Sequence, residues 1–160
     1  MVLNASLSLV IVRNGEHWTE YHQIRRTVLW EARGRFDYDS SHPDDYLPSN
    51  LPLLLLSDKV AVATVRLDLL DDSRTAAFRR LAVVLDKQRL GFGRALIERA
   101  ETMALEHERQ KFVAQVARDA VPFWKKLGYE MQSEFSLGMD DNPTMVKRAG
   151  SQNPPSRQTR

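Results

Sequence analysis

The chain has 160 residues, a net charge of +2 at pH 7, 42% hydrophobic and 28% charged residues, and no cysteine. That balance fits one globular domain with a real core and excludes a disordered chain, a disulfide framework and a thiol-ligated metal. Four of the 23 basic residues, Lys147, Arg148, Arg157 and Arg160, stand at the end of the chain, so the remainder carries a slight acidic excess, against a nucleic-acid binder.

Leu7–Val12 reads as a first strand and Arg13-Asn-Gly as a turn. The apolar run has no basic lead-in and no cleavage site, and no stretch approaches the ~20 apolar residues of a membrane span. No membrane partner and a cytoplasmic location are therefore expected. Glu16–Ala32 reads as a helix with Trp18, Tyr21, Ile24, Val28 and Leu29 on one face. His17 and His22 lie on it, and a helix-borne histidine reads first as a surface or packing residue.

Gly34–Pro52 is irregular, with a short helix starting near Pro43. Asp37, Asp39, Asp44 and Asp45 alternate there with Phe36, Tyr38 and Tyr46. Two readings stay open: a solvated loop whose aspartates cap turns, or a pocket wall that attracts a cationic amine. Leu53–Ser57 and Val60–Leu70 follow as strands joined by a tight turn, the second alternating as a partly exposed strand does. After the turn Asp71-Asp-Ser73, Arg74–Leu85 is a long strand that enters a basic, glycine-bearing loop.

The helix after that loop puts Leu96, Ile97, Ala100, Met103 and Ala104 on one stripe. No Ser, Thr, Asp or Asn stands before Arg94 to cap it, and Gly91 and Gly93 leave the backbone bare. Bare N–H groups, the helix dipole and Lys87, Arg89 and Arg94 favour a bound phosphate; a plain strand–turn–helix corner is the other reading. The P-loop pattern is absent. The dinucleotide fingerprint fails at Leu96 and lacks its acidic residue ~20 positions on. Gln88-Arg89-Leu90-Gly91-Phe92-Gly93 fits the remaining pattern, Gln/Arg-x-x-Gly-x-Gly/Ala. Lys111–Ala117 is the next strand. Asp119 is a candidate cap for a short helix with Phe123, Trp124 and Leu127 on its inner side, ended by Gly128. Tyr129–Leu137 and Thr144–Arg148 close the sheet. The fold class is α+β: a mixed, mostly antiparallel twisted sheet flanked by helices. Residues 1–148 form one domain and 149–160 a flexible tail.

The strand and loop Leu81-Ala-Val-Val-Leu-Asp-Lys-Gln-Arg-Leu-Gly-Phe-Gly93, followed by Ala120-Val-Pro-Phe-Trp-Lys-Lys-Leu-Gly-Tyr129, resemble the two cofactor motifs of the GNAT superfamily of acetyl-CoA-dependent N-acetyltransferases. The resemblance implies a GNAT fold over roughly Leu7–Arg148 and transfer of an acetyl group from acetyl-CoA to a primary amine, with no metal. It assigns cofactor contacts to Leu81, Ala82, Val83, Gln88, Arg89, Leu90, Gly91, Phe92, Gly93, Arg94, Phe123 and Trp124. The pantetheine arm would lie along Leu81–Val83, with the Val83 N–H polarising the thioester carbonyl. Glu134 is the first candidate for the general base, followed by Glu31 and Asp68. Acceptor contacts fall to Glu31, Asp37, Tyr38 and Arg80, although Arg79 or Arg80 also reads as a surface cation paired with Asp68.

Two departures stand out. Trp124 occupies the place of a tyrosine that protonates the departing thiolate, and indole donates a hydrogen bond but no proton. Ala117 replaces a frequent pantetheine-binding asparagine. An acyl-CoA-binding module with little catalysis is accordingly the alternative. The acceptor, a small molecule or a peptide, is not fixed by the sequence, and dimers are common in the resembled family, which leaves a homodimer open.

Overall fold

Among the described residues, seven strands and three α-helices account for the periodic segments. The computed structural model describes residues 6–132 and 142–150. The strands are β1 (Leu7–Ile11), β2 (Asn50–Ser57), β3 (Val60–Leu69), β4 (Thr75–Val83), β5 (Lys111–Gln115), β6 (Glu130–Met131) and β7 (Thr144–Arg148). They form one sheet in the order β1-β2-β3-β4-β5-β7-β6. Every neighbouring pair is antiparallel except β4–β5, which is parallel. That one crossover is made by α2 (Phe92–Glu106), as a parallel connection requires.

Both faces of the sheet are covered. Leu53 and Leu55 join one cluster with Leu96, Ile97, Ala100 and Ala104 of α2, while Leu54 joins Tyr21 and Ile24 of α1 (Gly15–Arg25) in a second. An uninterrupted leucine run in β2 is what burial on both faces demands. The α2 stripe is buried as its spacing requires, with Met103 partly buried against the same cluster.

Several boundaries differ from the sequence reading, each for a local reason. β2 begins at Asn50 and includes Pro52. The Pro52 carbonyl accepts from Val12 N–H, so its missing donor falls on the last rung toward β1, where one lost bond is tolerated. The first helix is α-helical only to Arg25, capped by Asn14, whose side chain accepts from His17 N–H at 2.8 Å. It continues as a π-helical turn, Arg26–Trp30, and a 3-10 turn, Glu31–Arg33, and stops at Gly34 with φ 76°. β4 ends at Val83, followed by a 3-10 turn over Leu85–Lys87. Asp119 caps nothing: it lies inside the 3-10 turn Arg118–Ala120 that precedes α3 (Val121–Lys126), and its exposed carboxylate is 4.0 Å from Arg33. β3 is exposed only toward its ends rather than along one face, since Val62 through Asp68 are all buried. Of the expected strand Tyr129–Leu137, β6 is the described part, and residues 133–137 lie outside the described residues. No helix among the described residues is long and apolar enough to cross a membrane.

Candidate active site

The parallel ladder between β4 and β5 ends at Phe78↔Ala114, yet β4 runs on to Val83. Beyond that rung the two strands part, and no further ladder rung joins β4 to β5. Val84 N–H donates to Val62 of β3. A strand alternates the direction of its peptide groups, so Val83 points the other way, into the opening. Its carbonyl there accepts 3.0 Å from the Gln88 side chain. Leu81 and Val83 pack toward α2, and Ala82 toward α1.

A bulge lies in the same stretch. Two β4 residues, Arg80 and Leu81, oppose the single Val65 of β3, and Arg80 has φ 62°. An arginine in the left-handed region is uncommon and costs on the order of 1–2 kcal/mol. The bulge breaks the alternation expected of Arg79 and Arg80, so both line one cavity.

The turn after Val83 leads to α2 through Arg89 with φ 65° and Gly91 with φ 91°. Gly91 is the N-cap and no side chain caps the helix, so the amides of Phe92, Gly93 and Arg94 are bare, as expected. The helix starts two residues earlier than the sequence suggested. Phe92 is buried in the core, Leu90 is exposed, and Arg94 pairs with Glu98 at 2.8 Å. Gly93 serves close packing rather than an unusual φ: an added Cβ would stand 3.2 Å from the Phe123 ring and 3.5 Å from Val83. Phe123 thus borders the groove beside Val83. Trp124, 3% exposed, belongs to the core against Tyr129, ring centroids 4.9 Å apart, and presents almost no surface to a ligand.

Past the end of the ladder, on the α1 face, a cavity of about 530 Å³ reaches Arg79 and Arg80 of β4, Gln115 of β5, Trp30 and Tyr38. Its floor is a buried ion network. Asp45 Oδ1 accepts from Tyr21 Oη at 3.1 Å, Arg25 Nη1 at 2.8 Å and Arg66 Nη1 at 3.1 Å. Asp68 takes Arg66 on both oxygens, at 2.7 and 2.9 Å, and Arg79 Nε at 2.9 Å. Three guanidinium groups against two carboxylates leave the network one positive charge. Burial pushes the Asp45 carboxyl up, but Arg25 and Arg66 outweigh it and hold it below its usual range. Around the mouth stand Arg35, Asp37, Asp39, His42 and Asp44. Arg35 and Arg80 both lie over the Trp30 ring, at 4.8 and 5.1 Å.

The structure therefore brings together Tyr38, Asp37 and Arg80 of the expected acceptor contacts. Glu31 is exposed on its 3-10 turn and does not line the cavity. Asp68 is committed to two arginines, Arg66 and Arg79. Arg79 pairs with Asp68, as the plainer reading had it, although the pair is part of a buried network. Glu134 lies outside the described residues. Asp45 is neither a turn cap nor a pocket-wall charge waiting for an amine, because Arg25 and Arg66 already neutralise it. Phe36 is 83% exposed and forms no wall. Sequence reasoning missed Arg25, Trp30, Arg66 and Gln115, and did not single out Asp45 from its three neighbouring aspartates. One usable signal was present: Thr64, Arg66 and Asp68 occupy alternate positions of a strand whose neighbours are all apolar.

A sheet whose two central parallel strands part beside an uncapped, glycine-led helix start defines the class: the acyltransferase-type α+β fold. The acetyltransferase (GNAT) domain profile matches residues 49–136, more than half of the chain. The chain belongs to that family. Its fold is shared by the GNAT-family acetyltransferase of Staphylococcus aureus Mu50 (TM-score 0.74, 14% identity, 89% of this chain and 99% of the other). It is shared also by the PaiA N-acetyltransferase of Thermoplasma acidophilum, solved with coenzyme A (0.69, 16%, 89% and 99%). A third is FeeM, an N-acyl amino acid synthase from uncultured soil microbes (0.70, 15%, 91% and 91%).

Proposed function

We propose that the protein is an acyl-CoA-dependent N-acyltransferase that moves an acetyl group from acetyl-CoA to a primary amine by direct attack. The observation that carries this reading is the stretch of β4 that runs past its ladder with β5 to Val83, followed one short loop later by a helix start with three bare amides. The residues fit the cosubstrate. The amides of Phe92, Gly93 and Arg94 would hold its pyrophosphate at the positive end of the α2 dipole. The Val83 peptide would pair with the pantetheine arm as an added strand does, and its N–H would stabilise negative charge on the thioester oxygen. Coenzyme A in the Thermoplasma acidophilum structure and in an aminoglycoside 6'-N-acetyltransferase of the same fold supports the choice of cosubstrate.

The chain holds no cysteine, which closes an acyl-cysteine route, and nothing supports an acyl-serine one, in keeping with direct attack by the amine. A lysine-like ammonium is neutral in only about one molecule in two thousand at pH 7, so the site must favour the neutral form or accept its proton. A thiol of pKa ~8.5 is a fair leaving group, and water suffices to protonate it where Trp124 cannot.

The assay is release of free thiol from acetyl-CoA across a panel of polyamines, amino acids, aminoglycosides and peptide N-termini. Release with at least one amine is expected. Failure to bind acetyl-CoA in calorimetry would overturn the reading. Trp124 favours one alternative, an acyl-CoA-binding module: tight binding with no thiol release from any amine would select it.

A further inference from the structure

His22 is 7% exposed and holds one tyrosine on each ring nitrogen. Nδ1 lies 2.6 Å from Tyr38 Oη, and Nε2 lies 3.1 Å from Tyr46 Oη. Tyr46 donates its single hydroxyl proton to the Ser40 carbonyl at 2.6 Å. It can therefore only accept from His22, and Nε2 must carry a hydrogen. In the neutral ring Nδ1 is then the acceptor, and Tyr38 donates to it. Burial lowers the His22 pKa below its ordinary 6.5; Asp45 opposes this, Arg25 and Arg26 add to it, and Asp39 opposes weakly. Trp18 stacks on the ring at 5.5 Å and Tyr21 meets it edge-on, both from α1. Tyr38, the other end of the dyad, lines the cavity, with Trp30 edge-on at 4.8 Å and Arg26 over its ring at 5.1 Å. Its hydroxyl is pushed up to about 12 by burial, so it stays protonated at neutral pH. His22 itself lies behind Tyr38 and does not line the cavity; the histidine that does, His42, is solvent-exposed, and its Nδ1 already accepts from Asp44 N–H.

We propose that Tyr38 and His22 relay the proton of the attacking amine. As the N–C bond forms, Tyr38 Oη takes a proton from the nitrogen and passes its own to His22 Nδ1. The C–S bond breaks and the electron pair leaves on sulfur as thiolate. The imidazolium returns its proton through Tyr38 to cavity water, and water protonates the thiolate, so amine and thioester become amide and thiol with no proton unaccounted for. Tyr38 is the catalytic residue, and His22 acts through it. The relay rests on the acyltransferase reading and offers it a base at the cavity that Glu31 does not line.

The test uses acetyl-CoA with the fastest amine of the panel, measured as a pH–rate profile, together with 15N NMR of the imidazoles. The unmodified protein should show an Nε2–H tautomer at His22 and an acid limb below pH 6.5, where His22 gains its proton and stops accepting. Tyr38→Phe should lower kcat about 10²-fold or more, leave acetyl-CoA affinity unchanged and remove the hydrogen bond at Nδ1. His22→Gln, which can still pair with both tyrosines but takes up no proton, should lower kcat as Tyr38→Phe does and remove the limb assigned to His22, leaving only the pH dependence of the amine itself. A Tyr38→Phe enzyme within threefold of the original kcat, an unchanged limb in His22→Gln, or an Nδ1–H tautomer would overturn the relay alone. Absence of thiol release by the unmodified protein would remove the acyltransferase reading and the relay with it.

Discussion

Asp45 collects three donors on one oxygen, and its side chain and those of Arg25 and Arg66 are almost wholly buried. Removing one partner of such a set leaves charge in a low-dielectric site with nothing to offset it. Asp45→Asn should therefore cost about 3 kcal/mol, the low end for a broken buried pair, because Asp68 still holds Arg66. Urea unfolding measures it. The sign of the pH effect follows from the depressed carboxyl. The folded state binds the Asp45 proton less readily than the unfolded chain, so its stabilisation is complete above the ordinary value of 3.8 and is lost as pH falls below it. The Asn variant should lose that part of the acid slope. Beyond the alternating Thr64, Arg66 and Asp68, none of this was visible in the sequence. Four aspartates share the segment, and only the fold distinguishes the one that meets Arg25 and Arg66. His22 was hidden for the same reason: its partners lie 16 and 24 residues away.

The element that carried most of its meaning in plain sequence is the β4–loop–α2 unit. The two glycines act differently, and substitution should separate them. Gly91 has φ 91°, where an alanine side chain costs about 1–2 kcal/mol, so Gly91→Ala should destabilise by that amount and weaken acetyl-CoA binding as the helix start realigns. Gly93 sits in the helix without a positive φ. Gly93→Ala gains about 1 kcal/mol of helix propensity and spends it against the Phe123 ring 3.2 Å away, leaving stability near neutral. Because Phe123 is half-buried and borders the Val83 groove, its displacement should appear as weaker acetyl-CoA binding. Thermal unfolding and calorimetry on the two variants make the comparison. The loop was legible because its requirements are local: bare amides, a left-handed residue, no cap. The bulge at Arg80 was not. A period-two pattern assumes an unbroken ladder, and nothing in Phe78-Arg-Arg-Leu81 announces the extra residue that turns both arginines to one cavity. The first helix shows the same limit, since its apolar spacing runs smoothly through the π-helical turn that brings Trp30 to the cavity.

At the scale of the molecule, the sheet places two sites on either side of one gap. α2 covers one face and delivers its bare amides to the end of β4. α1 and the segment after it cover the other face and enclose the charged cavity. The gap exists because β4 outruns its parallel partner by the residues from Arg79 to Val83. A ligand that fills it adds backbone pairing the free protein lacks, which sets a distinctive pattern for amide exchange. Val83 N–H and the amides of Phe92, Gly93 and Arg94 have no partner in the helix or the sheet and should exchange fast in the free protein. Ala82 pairs with Thr64 on the closed side and should exchange slowly throughout. Saturating acetyl-CoA should slow the first group at least tenfold and leave Ala82 unchanged. At a hundred times the dissociation constant, binding should add about 2.7 kcal/mol of stability and raise the melting temperature by roughly 5–10 °C for a domain of this size. Protection confined to the helix amides would mean that the pyrophosphate is held but the arm does not lie along β4. Protection of Val83 without the helix amides would mean the reverse. Only the joint pattern fits a cosubstrate that runs from the start of α2 into the gap, with its thioester facing the cavity where Tyr38 waits.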